Sequence, residues 1–153
     1  MEQKLRELEM TNKIAWRPLK LRAVDDRDLL IFSECIYDAI LLPTELNYDH
    51  KTKQFAMAVE RFTWEIADGK DYNLMQVLSI LLVNGVEKVE TKDYFKNNTI
   101  NNLISISNVD NNILILLNDD QVLNLKVIEW SCMLRDVGKP WFPAITPSHL
   151  KND

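Results

Sequence analysis

The sequence predicts a single α+β domain, mainly an antiparallel meander sheet or half-barrel, with one helix after the first strand and one helix at the C-terminal end. Three observations carry this. Apolar and polar residues alternate in several short segments, most of them between residues 44 and 128. Polar Asn, Asp and Gly clusters separate those segments, and short turns make successive strands antiparallel neighbours. Only one long segment places its apolar residues three and four apart, the spacing of a helix face.

Residues 2–13 read as a short helix with Leu5 and Leu8 on one side, too short to be stable alone. Residues 1–18 therefore form an N-terminal extension, and 19–153 the domain. Leu19–Val24 alternates as a strand. Asp25 or Asp26 can cap the helix that follows, where Leu29, Phe32, Ile36 and Ile40 share a face over Asp28–Ile40. Pro43 lies beyond its end. Thr44–Tyr48 and Gln54–Ala67 flank the polar turn 49–53 as a hairpin. Leu74–Val83 and Val86–Thr91 meet across Asn84-Gly85, a strong two-residue hairpin signal because both residues accept positive φ. After an Asn-rich loop at 97–102 come the strands Leu103–Ser107, Ile113–Leu117 and Val122–Ile128, joined by Asn/Asp turns. Glu129–Val137 reads as the closing helix, stopped by Gly138 with Pro140 beyond it. A strand meander followed by a helix is similar in outline to pleckstrin-homology-like barrels.

The chain has 153 residues and a formal net charge of −5, enough length for one core and an unfavourable charge for nucleic acid. Basic residues gather in 1–24 but are diluted there by three Glu. Cys35 and Cys132 are isolated, so they read as reduced thiols and not as a zinc or dithiol motif. The N-terminus MEQKLRELEM lacks an apolar leader region and no apolar run is long enough to span a bilayer, which predicts a cytoplasmic protein.

Residues that carry chemistry are sparse. Gly69, Gly85 and Gly138 stand apart and form no phosphate-binding loop. His50 and His149 fall in expected loops. The pairs Asp25-Asp26 and Asp119-Asp120 are accounted for by a helix cap and a turn. No catalytic residue, metal site or cofactor is expected. The segment Arg61-Phe62-Thr63-Trp64-Glu65 stands out, because Arg61 interrupts the apolar face set by Phe55, Met57 and Val59. It reads either as a strand end where Arg61 pairs with a carboxylate, or as an Arg and aromatic surface for a partner. Arg135-Asp136-Val137-Gly138-Lys139-Pro140-Trp141 is the other dense segment, with Trp141 placed to fold back on the core.

Leu19–Leu29, Arg61-Phe62-Thr63-Trp64-Glu65, Leu134–Trp141 and Pro147-Ser148-His149 follow in an order that resembles an uncharacterised family of small alphaproteobacterial proteins, a domain of unknown function, over roughly residues 19–149. The resemblance implies a bacterial cytosolic protein and brings no activity or cofactor. Asn118-Asp119-Asp120-Gln121 departs from the Gly-rich turn usual there. The expected function is a non-enzymatic binding or adaptor domain, with Arg61, Trp64, Arg135, Asp136, Trp141 and His149 as candidate surface residues. Its partner would be a protein or a small anionic ligand. The alternative is a small metabolite-binding regulator or enzyme with its site near the C-terminal segment. A homodimer through an exposed strand edge stays open.

Overall fold

The computed structural model describes residues 16–67, 74–91 and 101–142. The expected N-terminal helix, Gly69 and the tail with His149 lie outside those residues.

Seven strands form one antiparallel sheet: β1 (Lys20–Ala23), β2 (Ile40–Asp49), β3 (Gln54–Phe62), β4 (Gln76–Thr91), β5 (Asn101–Val109), β6 (Asn112–Leu117) and β7 (Val122–Trp141). Helix α1 (Asp26–Ile36) follows β1, and the four-residue helix α2 (Trp64–Ala67) follows β3. The strand order β7-β4-β3-β2-β5-β6 returns to β7, so six strands close into a barrel and β1 adds to the outside edge of β7. The half-barrel is thus a full one. Closure removes most of the unpaired strand edge that an open sheet would present.

Strand β7 makes closure possible. Along one side it pairs with β4 from Leu123 to Trp141. Along the other it pairs first with β6, over Val122–Lys126, and then with β1, over Cys132–Arg135. The closing helix expected at Glu129–Val137 is therefore absent, and with it the feature that carried the pleckstrin-like outline. Cys132, Leu134 and Asp136 are buried while Arg135 is exposed, a period of two. Two strand neighbours satisfy both backbone edges there, and tertiary pairing of this kind overrides a marginal helical pattern.

The Asn84-Gly85 hairpin is also overturned. Strand β4 runs through both residues for 16 residues, and its pairing to β7 shifts register between Asn84 and Val86. Gly85 has φ +82°, so the positive-φ signal was genuine. It serves a bulge whose extra residues lie on β7: Gly85 alone faces residues 128–130, with Glu129 at φ 48°. A Cβ on Gly85 would sit 2.3 Å from the Ile128 carbonyl oxygen.

Helix α1 ends at Ile36, four residues early, because Asp38 adopts φ 62° and Ile40 already belongs to β2. It starts at Asp26, two residues before the expected Asp28, and of the two expected caps Asp25 is the one used. Asp25 accepts a hydrogen bond from the Asp28 N–H at 2.9 Å, and the Asp28 carboxylate accepts from the Val24 N–H at 3.0 Å. Leu29, Phe32 and Ile36 are buried against the barrel, worth roughly 1.5–3 kcal/mol each. Among the described residues, strand β2 pairs with β5 at Ile40 and Leu41. The helix covers the edge this leaves: Ser33 Oγ accepts from the Ile106 N–H at 3.0 Å and donates to the Ile106 carbonyl at 2.9 Å. Pro43 falls within the irregular stretch between Leu41 and Leu46, where a missing N–H costs no ladder bond.

The expected loop at 97–102 is strand at Asn101 and Asn102, its other residues lying outside those described, whereas the turns at 49–53 and 110–112 match expectation. The Asp49 carboxylate accepts from the backbone N–H groups of Lys51 and Thr52, which hold it below its usual pKa range. Asp110 and Asn111 both take positive φ, the geometry of a two-residue hairpin turn.

Candidate functional site

Strand β3 alternates. Phe55, Met57 and Val59 face the core, and Arg61 is the next residue on that face. Its guanidinium is therefore carried into the end of the barrel, with its side chain fully buried. Burying a charge is costly unless it is paired and every donor is satisfied. Arg61 meets both conditions. Nε donates to Asp136 Oδ1 at 2.7 Å, and Nη2 to Asp136 Oδ2 at 2.8 Å. Nη1 and Nη2 donate to the two Glu65 oxygens at 2.9 and 2.8 Å, and Nη1 also reaches the Phe62 carbonyl at 3.0 Å. All five N–H groups are used.

Asp136 is equally occupied. Besides Arg61, it accepts from the Ser79 hydroxyl at 2.6 Å and from the Leu19 N–H at 2.7 Å. The register explains the meeting: Ser79 of β4 lies directly opposite Asp136 of β7, and β3 lies on the other side of β4. Burial alone would raise the Asp136 pKa. The bonds from Arg61, Leu19 and Ser79 outweigh it and hold the carboxyl below its usual range. Burial alone would lower the Arg61 pKa, and the two carboxylates outweigh that too, pushing it further up. A carboxylate with four donors and a lowered pKa has no lone pair to offer as a general base.

The two carboxylates differ in kind. Asp136 is sealed inside, whereas the Glu65 side chain is 30% exposed. Glu65 rides on α2, whose start is fixed by a two-way bridge. The Thr63 N–H donates to the Met75 carbonyl at 2.8 Å, and Thr63 Oγ1 accepts from the Met75 N–H at 2.9 Å. Next to Glu65, Trp64 turns outward. Its Nε1 donates to the Tyr37 carbonyl at 2.8 Å, and its ring lies 5.7 Å from Phe62 and 6.2 Å from Tyr37.

Trp64 forms one wall of an open cleft of about 490 Å³, with Leu30, Ser33, Glu34 and Tyr37 of the α1 end as the other wall. Leu30 is 68% exposed there. Cys35, between these α1 residues, is within electrostatic reach of Arg61 and Glu65; burial raises its thiol pKa and Arg61 partly offsets this.

The six sequence-derived residues thus separate. Arg61 and Asp136 meet, and Trp64 lies beside them. Arg135 is on the outer face, opposite Lys20 and Ile80, away from the cluster. Trp141 ends β7 opposite Gln76 and is exposed. His149 is outside the described residues. Sequence reasoning did not single out Ser79, hidden in an apolar run, or the cleft residues Leu30, Glu34 and Tyr37. The signal for Glu65 was its place four residues after Arg61, which is a contact spacing only if the chain turns helical there.

Among the described residues, no group of three or more His, Cys, Asp or Glu side chains could hold a metal ion, and no helix is long and apolar enough to cross a membrane. His50 stacks on Tyr48 in the exposed β2–β3 turn, with ring centres 6.3 Å apart.

Fold and site together define a closed antiparallel β-barrel with a buried Arg–carboxylate cluster at one end and an apolar cleft beside it. The chain belongs to the DUF2948 family of proteins of unknown function, whose model matches residues 19–149. No curated protein matches it, and no solved structure does.

Proposed function

We propose that the domain is a non-enzymatic binding module whose ligand is a small amphipathic molecule, its apolar body seated between Leu30, Tyr37 and Trp64. The carrying observation is the open cleft between α1 and α2. Its volume of about 490 Å³ is within the usual range for small-ligand sites, and its walls combine a large aliphatic side chain with two aromatics. The neighbouring Arg61 cluster supports binding over catalysis. Its polar atoms are engaged with one another, which fixes the wall that carries Trp64 and leaves none of them as an activated nucleophile or base.

The test is ligand-detected NMR with small aromatic probes. Saturation transfer to benzyl alcohol should be seen with wild type and lost in Leu30→Asp. Transfer that is unchanged in Leu30→Asp and Trp64→Ala, or no transfer to wild type, would remove the cleft as the site.

A further inference from the structure

We infer that the outer face of the sheet around β4 is a self-association surface, on which a second copy of this chain packs face to face about a two-fold axis parallel to β4. The alternation that separates core from solvent fails on this strand. From Val77 to Val83 every residue is apolar except Ser79. Val77, Ser79, Leu81 and Val83 are buried in the barrel, whereas Leu78, Ile80 and Leu82 lie on the outer side, Leu78 being 40% exposed. A strand with one solvated face alternates apolar with polar residues, and a continuous apolar run marks a strand covered on both faces. Among the described residues the main neighbours of β4 are β3 and β7, its partners within the sheet.

The register carries this surface sideways. Arg22, Met133, Leu82 and Ala56 form one row across β1, β7, β4 and β3, and Lys20, Arg135, Ile80 and Ala58 form the next. In a third row Leu78 lies between Val137 and Glu60. The centre of the face is thus apolar, one rim carries Lys20, Arg22 and Arg135, and the opposite rim carries Glu60. Among the described residues none of these four charges has an ion-pair partner, and none lines the cleft. The rims decide the occupant. A partner surface of one charge sign would meet like charge at one rim. A second copy turned about an axis along β4 lays its β3 over the first copy's β7, so each Arg135 approaches the other copy's Glu60, and the contact is made twice. Arg135 is one step along the face from the Glu60 row, roughly 7 Å, which an arginine side chain spans. The face measures roughly 15 by 20 Å, well under the ~800 Å² per partner of a standard interface, so the dimer is weak and forms only at high concentration.

Sedimentation velocity on the full chain at low salt, from about 5 to about 500 μM, reads this equilibrium. Wild type should pass from monomer to dimer across that range. Leu82→Asp and Arg135→Glu should each weaken the dimer by about tenfold or more, with circular dichroism unchanged. Arg135 is exposed, so its variant keeps the test open where Leu82→Asp impairs folding. The double variant Arg135→Glu/Glu60→Arg should recover wild-type association. Wild type that stays monomeric throughout would overturn the inference and give the face to another occupant. A dimer that survives both single variants would also overturn it, placing the contact elsewhere, as at the outer edge of β1. Association that Arg135→Glu abolishes and the double variant does not restore would end the two-fold arrangement.

Discussion

A guanidinium withdrawn from water loses several kcal/mol of hydration, and Arg61 offsets this with five short bonds, four of them to carboxylate oxygens. Removing one partner strands the other. Asp136→Asn should cost about 3–5 kcal/mol in urea unfolding, with Ser79→Ala nearer 1–2 kcal/mol, since only one hydrogen bond is lost there. The Asp136 pKa is lower in the folded chain than its unfolded value of about 3.9, so its contribution is complete above that pH. It disappears as pH falls through the lowered folded value. Acid unfolding followed by circular dichroism should therefore show wild type losing its advantage over Asp136→Asn below about pH 4. Arg61 stood out in the sequence as a charge on an apolar face, and Asp136 as one member of the dense segment Arg135–Trp141. Their union did not, because they are 75 residues apart and meet across a third strand. Spacing along a chain says nothing about pairing of that order.

At the scale of elements, local rules located the residues and misjudged their use. Asn84-Gly85 does require positive φ at Gly85, but a two-residue hairpin and a strand bulge make the same demand on a glycine. Only the partner strand decides between them. The two glycines among the described residues, both with positive φ, separate strain from space. Gly138→Ala has φ +80° and nothing within 4 Å of the added Cβ, so it should cost about 1 kcal/mol from strain. Gly85→Ala meets the Ile128 carbonyl as well and should cost at least 2 kcal/mol more, measured by chemical denaturation. The α1 start was legible because capping is a local affair. Asp25→Ala should lose about 1 kcal/mol. Residues 129–137 were ambiguous because Trp130, Met133 and Val137 fit a helical spacing while Cys132, Leu134 and Asp136 fit a strand. The second set is the one that is buried.

At the scale of the molecule, the antiparallel character was readable from the turns, whereas closure was not. Closure depends on β7 being long enough to serve two neighbours in succession. Breaking its 20 residues into a strand and a helix hid that. The two thiols report on the closed interior. Cys132 is buried and pushed up to about 12, and Cys35 is only partly buried, its pKa raised to a lesser degree. Native-state alkylation should accordingly modify Cys35 first, with Cys132 reacting only as the barrel opens, as peptide mass spectrometry over time would show.

The position of β7 in the chain also bears on how the protein is made. A ribosome delivers residues in order, so β2 to β6 emerge before the strand that closes them. Until Asp136 leaves the exit tunnel, the Nε/Nη2 edge of Arg61 lacks its carboxylate, and the β4 side that β7 will cover lies bare. Closure comes as a late, long-range event, the kind that sets a slow folding rate and gives a chaperone its opportunity.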